Sequence, residues 1–442
     1  MMLIKVGVIS LGCAKNRIDT EMMLAELGDE YTFVQDIAEA EIMLINTCAF
    51  TDEAKEESIN TILEAEQQKK FGNVRGIIVT GCLPQRFREE LTQTLPRVDA
   101  FLGTAAYKDI KQAIDEVVNG NRYVRYSDAS LDEHYHNRIV TTQPPTAYVR
   151  IAEGCNNRCS YCVIPTIRGE YQSRKPQAVL EEIRDLAAKG YSEIVLIAQD
   201  TTNYGVDLDD NINLAKLLDQ AADIEGVRWL RVLYSYPNGI TDELLEVMKK
   251  HDNIVKYLDI PVQHLIDDIL KPMNRRNTSA STREVVKRIK DSSPDFIVRS
   301  TLIVGFPGET REQVVEMCSI LKQLQFDRLG VFTYSQEENT PAAQMDGQID
   351  EEEKEFRRDS VLNMQTSISL DLNKKRIGKV YEVLIEGFEQ HSGAYYGRSY
   401  AEAPDVDGKI FVQTEQELKI GEYYPVKITK AYSYDCIGEI SQ

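Results

Sequence analysis

Short apolar runs alternate with helical patterns along the first 121 residues. Val6-Gly7-Val8-Ile9-Ser10, Ile42-Met43-Leu44-Ile45-Asn46, Gly76-Ile77-Ile78-Val79-Thr80 and Ala100-Phe101-Leu102 read as strands. Thr51 to Gln68 and Leu83 to Leu95 carry the helix period. Apolar strands separated by helices predict an open parallel α/β sheet covered on both faces. Residues 122–146 are polar, rich in Asp, His and Asn, and end in Gln143-Pro144-Pro145, which predicts a linker. Residues 147–372 alternate again, with six strand candidates at 147–152, 193–198, 229–234, 255–260, 296–304 and 328–333. Helical stretches at 177–189, 241–250, 281–290 and 311–324 lie between them. Six βα units predict a partial (β/α)6 barrel, whose site belongs at the C-terminal strand ends. The acidic run Asp350 to Glu353 reads as a solvated helix start. Residues 374–442 change pattern: Val380–Ile385, Lys409–Val412 and Tyr424–Ile428 read as strands punctuated by Gly387, Gly393, Gly397, Gly408, Gly421 and Gly438. A small antiparallel β-barrel is expected there. The fold class is α/β, with domains at 1–121, 147–372 and 374–442.

Composition narrows the class. A chain of 442 residues, 42% hydrophobic, is too long for one core. No run is apolar enough to span a bilayer, and the first residues lack the pattern of a signal peptide. A cytoplasmic protein without a membrane partner is expected. In a reducing compartment the eight cysteines do not read as disulfides. The net charge of −20 opposes a broad attraction to nucleic acid and suits a basic protein partner, although acidic surfaces also simply keep proteins soluble.

The cysteines then carry the chemistry. Cys13, Cys48 and Cys82 each follow one of the first three predicted strands. Ligands bind at the carboxyl ends of strands in open α/β sheets. One isolated Cys is usually a small buried hydrophobe; three in equivalent places point to a shared metal or cluster site. The strongest local signal is Glu153-Gly154-Cys155-Asn156-Asn157-Arg158-Cys159-Ser160-Tyr161-Cys162, with Cys-x-x-x-Cys-x-x-Cys spacing. Three thiolates on one loop leave one iron of a 4Fe–4S cubane without a protein ligand. That iron can bind S-adenosylmethionine, and an electron from the cluster can cleave it to an adenosyl radical. The competing reading is structural zinc, which needs four ligands. No fourth Cys lies nearby, and His264 would have to come from a distant strand.

Gly305-Phe306-Pro307-Gly308-Glu309 follows a strand and precedes a helix. Gly305, Gly308 and Glu309 are candidates for contact with S-adenosylmethionine, and a plain tight turn is the alternative. Gln263-His264 could orient substrate, but a lone His is more often structural, so no base is assigned. Cys318 and Cys436 are expected in cores.

The cysteine loop resembles that of radical S-adenosylmethionine enzymes, and the whole chain resembles the methylthiotransferase family. Ser10-Leu11-Gly12-Cys13-Ala14-Lys15-Asn16, Asn46-Thr47-Cys48, Gly81-Cys82-Leu83-Pro84-Gln85-Arg86, Tyr257 to His264 and Gly397 to Gly408 are similar to its branch that modifies a ribosomal protein. The resemblance implies a second 4Fe–4S cluster on Cys13, Cys48 and Cys82, a radical cluster on Cys155, Cys159 and Cys162, and a C-terminal TRAM barrel. It implies methylthiolation of an aspartate β-carbon in a basic small-subunit ribosomal protein, free or on the ribosome, with an electron donor. A carbon–hydrogen bond of that kind yields to a radical rather than to acid–base chemistry. A monomer is expected.

Charge bears on the substrate. From Arg376 to the end, seven Lys or Arg stand against eleven Asp or Glu, a net −4. A barrel that grips tRNA should be basic, whereas an acidic one suits a basic protein. A tRNA (adenosine) methylthiotransferase is the nearest alternative, separable by a basic stripe on the barrel. A non-catalytic iron–sulfur carrier is a third, which would fail to cleave S-adenosylmethionine.

Overall fold

The computed structural model describes residues 3–126, 138–209 and 211–441. The N-terminal sheet has six strands in the order Tyr31–Val34, Ile4–Ser10, Ile42–Thr47, Gly76–Gly81, Ala100–Leu102, Tyr123–Arg125. Every neighbouring pair is parallel. The central strands Ile42–Thr47 and Gly76–Gly81 are buried along their whole length, which is why they read as unbroken apolar runs. The two outermost strands were not expected. Tyr31–Val34 and Tyr123–Arg125 are short and half exposed, so neither shows an apolar run. Tyr123–Arg125 lies inside the stretch expected to be linker and pairs with Ala100–Leu102. Of that linker, residues 127–137 fall outside the described residues. Its far end is clamped: buried Arg138 holds Glu182 at 2.8 Å and also bonds Glu21 and the Tyr148 carbonyl.

The central domain carries the six expected strands, Thr146–Arg150, Glu193–Ile197, Trp229–Val232, Ile254–Asp259, Ile297–Val304 and Arg328–Thr333, in sequential order. All five pairings are parallel and the sheet stays open, as a partial barrel does. A 24-residue helix, Glu351–Lys374, then packs on the last strand. Glu351, Glu352 and Glu353 fill its first turn, where carboxylates favour the helix dipole.

The C-terminal domain is a closed barrel of five strands, Val380–Glu389, Ala394–Arg398, Ile410–Gln413, Cys436–Ile440 and Tyr423–Ala431 in that spatial order. It is not wholly antiparallel, because Ile410–Gln413 and Cys436–Ile440 run parallel. The strands Ala394–Arg398 and Cys436–Ile440 were missed because their glycines read as turns. Gly397 and Gly438 instead sit within strands where backbones nearly touch: a Cβ on Gly397 would fall 1.9 Å from the Leu384 carbonyl oxygen. The barrel docks on the central sheet. Arg398 holds Glu193 at 2.7 Å, and Trp229 meets Tyr423 edge-on at 4.8 Å. Among the described residues no helix is long and apolar enough to cross a membrane.

Candidate functional site

Each of the first three cysteines stands at a strand end, as expected. Cys13 caps the helix Ala14–Leu27, Cys48 follows the strand Ile42–Thr47, and Cys82 opens the helix Cys82–Thr94. Two glycines let these loops close together. Gly12 has φ +85°, and a Cβ there would lie 2.8 Å from the Cys48 Cβ; Gly81 has φ +97°, and its Cβ would lie 2.2 Å from Asn46 Oδ1. Asn16 then ties the loops: its Nδ2 donates to the carbonyls of Leu11 and Thr47 at 3.1 and 2.9 Å. Its Oδ1 accepts from the Cys82 thiol at 3.5 Å. Cys13, Cys48 and Cys82 are close enough that a charge on one raises the pKa of another. Burial pushes the Cys82 thiol up to about 12, against the pull of Arg168, and pushes Cys48 up as well. Iron has to displace these protons, so loading is coupled to pH.

The loop bearing Cys155, Cys159 and Cys162 follows the first barrel strand. Gly154 has φ +74°, and a Cβ there would meet the Glu170 carbonyl oxygen at 2.1 Å. Only glycine permits that turn. The Cys155 amide donates to the Gly169 carbonyl at 3.2 Å and the Cys162 amide to the Cys159 carbonyl at 3.1 Å. Arg275 donates to the Cys159 sulfur at 3.6 Å, and the Ile164 amide to the Cys162 sulfur at 3.5 Å. Burial pushes Cys162 up to about 12, with Cys159 and Cys155 adding to the rise.

Each set offers three thiols, the donor chemistry of a 4Fe–4S cubane, which takes one thiolate on each of three irons. His264 is unavailable as a fourth zinc ligand or as a base. It is fully buried, its Nδ1 accepts from the Ile266 amide at 3.1 Å, and its Nε2 therefore carries the proton toward Glu309 at 3.1 Å. The barrel face also holds orphaned buried acceptors, Gln199 Oε1 and Gln263 Oε1, able to take the polar groups of a bound cofactor.

The turn at Gly305 to Glu309 is held from within the protein. Both Glu309 oxygens are engaged inside the protein, by Gly305 N at 3.0 Å, Arg357 at 2.9 Å and His264. A Cβ on Gly305 would strike Lys354 Cγ at 2.3 Å, so packing of the long helix requires that glycine. Gly308 has φ +82° and open space beside it. Cys318 is half buried against the central core and Cys436 lies in the barrel core.

A buried ionic network, not evident in the sequence, joins the two cysteine sets. Arg168 reaches Asn16 at 2.5 Å, Asp19 at 2.7 Å, Glu153 at 3.4 Å and the Cys82 sulfur at 3.6 Å. Arg150 bonds Asp19 at 2.6 Å and Glu153 at 2.5 Å, and Gln199 donates to Glu153. Asp19 belongs to the helix behind Cys13, while Glu153 stands two residues before Cys155. Lys15 feels the charges of Cys13 and Glu153, and its Nζ stands 3.3 Å from the Tyr234 ring centroid. A cavity of about 740 Å³ lies at the meeting of the three domains, lined by Ser10, Arg17, Tyr148, Arg398 and Asp405 among others; none of the six cysteines lines it.

Comparison with known proteins decides the family. Residues 149–321 match the Radical SAM superfamily, 5–103 the uncharacterized protein family UPF0004, and 377–440 the TRAM domain. A Clostridium botulinum (strain Loch Maree) protein named Ribosomal protein uS12 methylthiotransferase RimO is 46% identical over 99% of this chain and 98% of its own length. The chain belongs to the RimO family of radical SAM methylthiotransferases. A Clostridium acetobutylicum member is 44% identical over the same shares. Family members are transferases that use S-adenosylmethionine and two 4Fe–4S clusters. Among solved structures, the radical S-adenosylmethionine methyltransferase TsrM from Kitasatospora setae shares the fold, with a TM-score of 0.57, 14% identity, and coverage of 89% of this chain and 84% of that one.

Proposed function

We infer that the protein adds a methylthio group to the β-carbon of an aspartate in ribosomal protein uS12. The observation that carries this reading is the pair of three-cysteine sets joined by the buried Asp19–Arg168–Glu153 network. Cys155, Cys159 and Cys162 would hold the radical cluster, and Cys13, Cys48 and Cys82 the auxiliary one. When bound, the clusters and S-adenosylmethionine supply the adenosyl radical, the sulfur and the methyl group. The chain's own share is placement. Arg275 and the Ile164 amide donate to radical-loop sulfurs, Arg168 donates to an auxiliary one, and the ionic network fixes the two loops against each other.

The barrel supports a protein substrate over tRNA. Two of its seven basic residues, Arg376 and Arg398, are buried and paired with Glu402 and Glu193, so they offer nothing to a phosphate backbone. The acidic surface suits uS12 as a basic partner. We also propose that the enzyme works in the cytoplasm as a monomer with a separate electron donor, on uS12 either free or in the ribosome. S-adenosylmethionine is expected along the barrel face near Gln199, Gln263 and the open side of Gly308, with Gly305 and Glu309 shaping that turn.

The test is anaerobic reconstitution with iron and sulfide, reduction, and addition of S-adenosylmethionine with uS12 or with tRNA. Mass spectrometry should find a methylthio gain on one aspartate of uS12. Modification of tRNA in place of uS12 would refute the substrate assignment. Failure to form deoxyadenosine at all would favour a carrier.

A further inference from the structure

Lys15, buried two residues from Cys13, lacks a carboxylate partner among the described residues. It is 8% exposed, its Nζ makes no ion pair or hydrogen bond among the described residues, and it stands 3.3 Å from the Tyr234 ring centroid. A buried ammonium normally has a partner, because leaving water costs more than an aromatic face returns. The nearby acids are already engaged. Glu153 is held by Arg150, Arg168 and Gln199, and Asp259 by Arg299 at 2.8 Å. Asp19 and Glu153 are matched by Arg150 and Arg168, which leaves Lys15 over.

The platform beneath it is built at some cost. Tyr234 stands two residues past the barrel strand Trp229–Val232 with φ +63°, a left-handed conformation that a bulky residue rarely adopts. It is fixed there by Asp259, whose carboxylate accepts from the Tyr234 amide at 3.1 Å, and by the Thr201 amide, which donates to its carbonyl at 3.0 Å. Strain of this kind persists where surrounding structure enforces it, and it gathers at ligand sites. Two independent features thus meet at one point: an unpaired buried cation and a strained aromatic that props it up.

We propose that Lys15 binds the carboxylate of the aspartate that receives the methylthio group. This rests on the uS12 reading and deepens it. The carboxylate supplies the hydrogen-bonded partner that no protein carboxylate gives Lys15, in addition to the charge of Cys13 two residues away, and the ion pair holds the adjacent β-carbon beside the auxiliary cysteines. A neutral target, such as a tRNA base, would leave Lys15 unpaired, so the same residue selects against it.

The experiment is a double-mutant cycle on binding, using anaerobic reconstituted holoenzyme without reductant. The ligands are uS12 and a uS12 variant in which the modified aspartate is Asn. Wild-type enzyme should bind the Asp form about 10- to 100-fold more tightly than the Asn form, the range of a buried charge-assisted hydrogen bond. Lys15→Met and Lys15→Gln should each abolish that difference, while iron content and, in separately reduced samples, the electron paramagnetic resonance signals of both clusters stay as in wild type. Equal loss of both ligands in the variants would overturn the proposal, as would a difference that survives. Loss of iron on substitution would assign Lys15 to the Cys13 cluster instead. If wild-type enzyme binds neither form of uS12, the substrate reading itself fails, and that outcome is distinct from binding without coupling.

Discussion

Gly12, Gly81 and Gly154 have no room for a side chain, because they press their cysteine loops against the Cys48 side chain, Asn46 and the Glu170 backbone respectively. A methyl at position 81 would sit 2.2 Å from Asn46 Oδ1. Gly81→Ala should therefore lower iron from about eight to about four per chain while deoxyadenosine formation persists, which iron assay and product chromatography can measure together. Gly154→Ala should do the opposite: keep about four irons and lose deoxyadenosine. Arg168 is a different case. Removing it as Arg168→Met leaves Asp19 and Glu153 buried with one guanidinium between them, which should cost about 3–5 kcal/mol. Urea unfolding of the metal-free chain would read that loss as a lower midpoint.

At the level of elements, legibility followed burial. The buried strands Ile42–Thr47 and Gly76–Gly81 announce themselves as apolar runs, and the cysteines at their ends could be placed from sequence alone. The edge strand Tyr31–Val34 could not, because exposed positions break its pattern. The barrel strands built around Gly397 and Gly438 were hidden for another reason. Glycine signals a turn in sequence, yet here it marks backbones pressed together. Gly397→Val should disrupt the barrel, at a cost of at least about 1–3 kcal/mol as for other overpacked positions, seen as early loss of the barrel's tyrosine fluorescence on heating. The network of Asp19, Arg150, Glu153 and Arg168 was also out of reach. Charged residues 131 and 149 positions apart carry no sequence signal of their pairing, and an isolated Arg or Asp reads as solvated surface. Lys15 and Asn16 lie in the segment Ser10 to Asn16, but nothing in that segment's sequence says that one lacks a carboxylate partner while the other ties three loops.

The whole molecule depends on how the C-terminal barrel sits on the central sheet. Glu193 is fully buried at that junction. Burial alone would raise its pKa, but Arg398 and Arg231 outweigh it and hold the carboxyl at about 2. Glu402 is likewise held at about 2, with Arg376 and Arg328 outweighing burial. A depressed carboxyl pKa contributes stability that is complete above the ordinary value near 4.5 and fades as pH falls toward 2. Metal-free protein should therefore lose thermal stability across that window. Glu193→Gln should be less stable by about 3–5 kcal/mol at neutral pH and show a shallower acid dependence.

The central claim is a division of labour between the two cysteine sets, and a matched pair of triple variants tests it most directly. With Cys155, Cys159 and Cys162 all changed to Ala, the chain should keep about four irons and form no deoxyadenosine. With Cys13, Cys48 and Cys82 changed instead, it should keep about four irons, still form deoxyadenosine, and leave uS12 unmodified. Methylthio transfer by the second variant, or cleavage of S-adenosylmethionine by the first, would contradict the account.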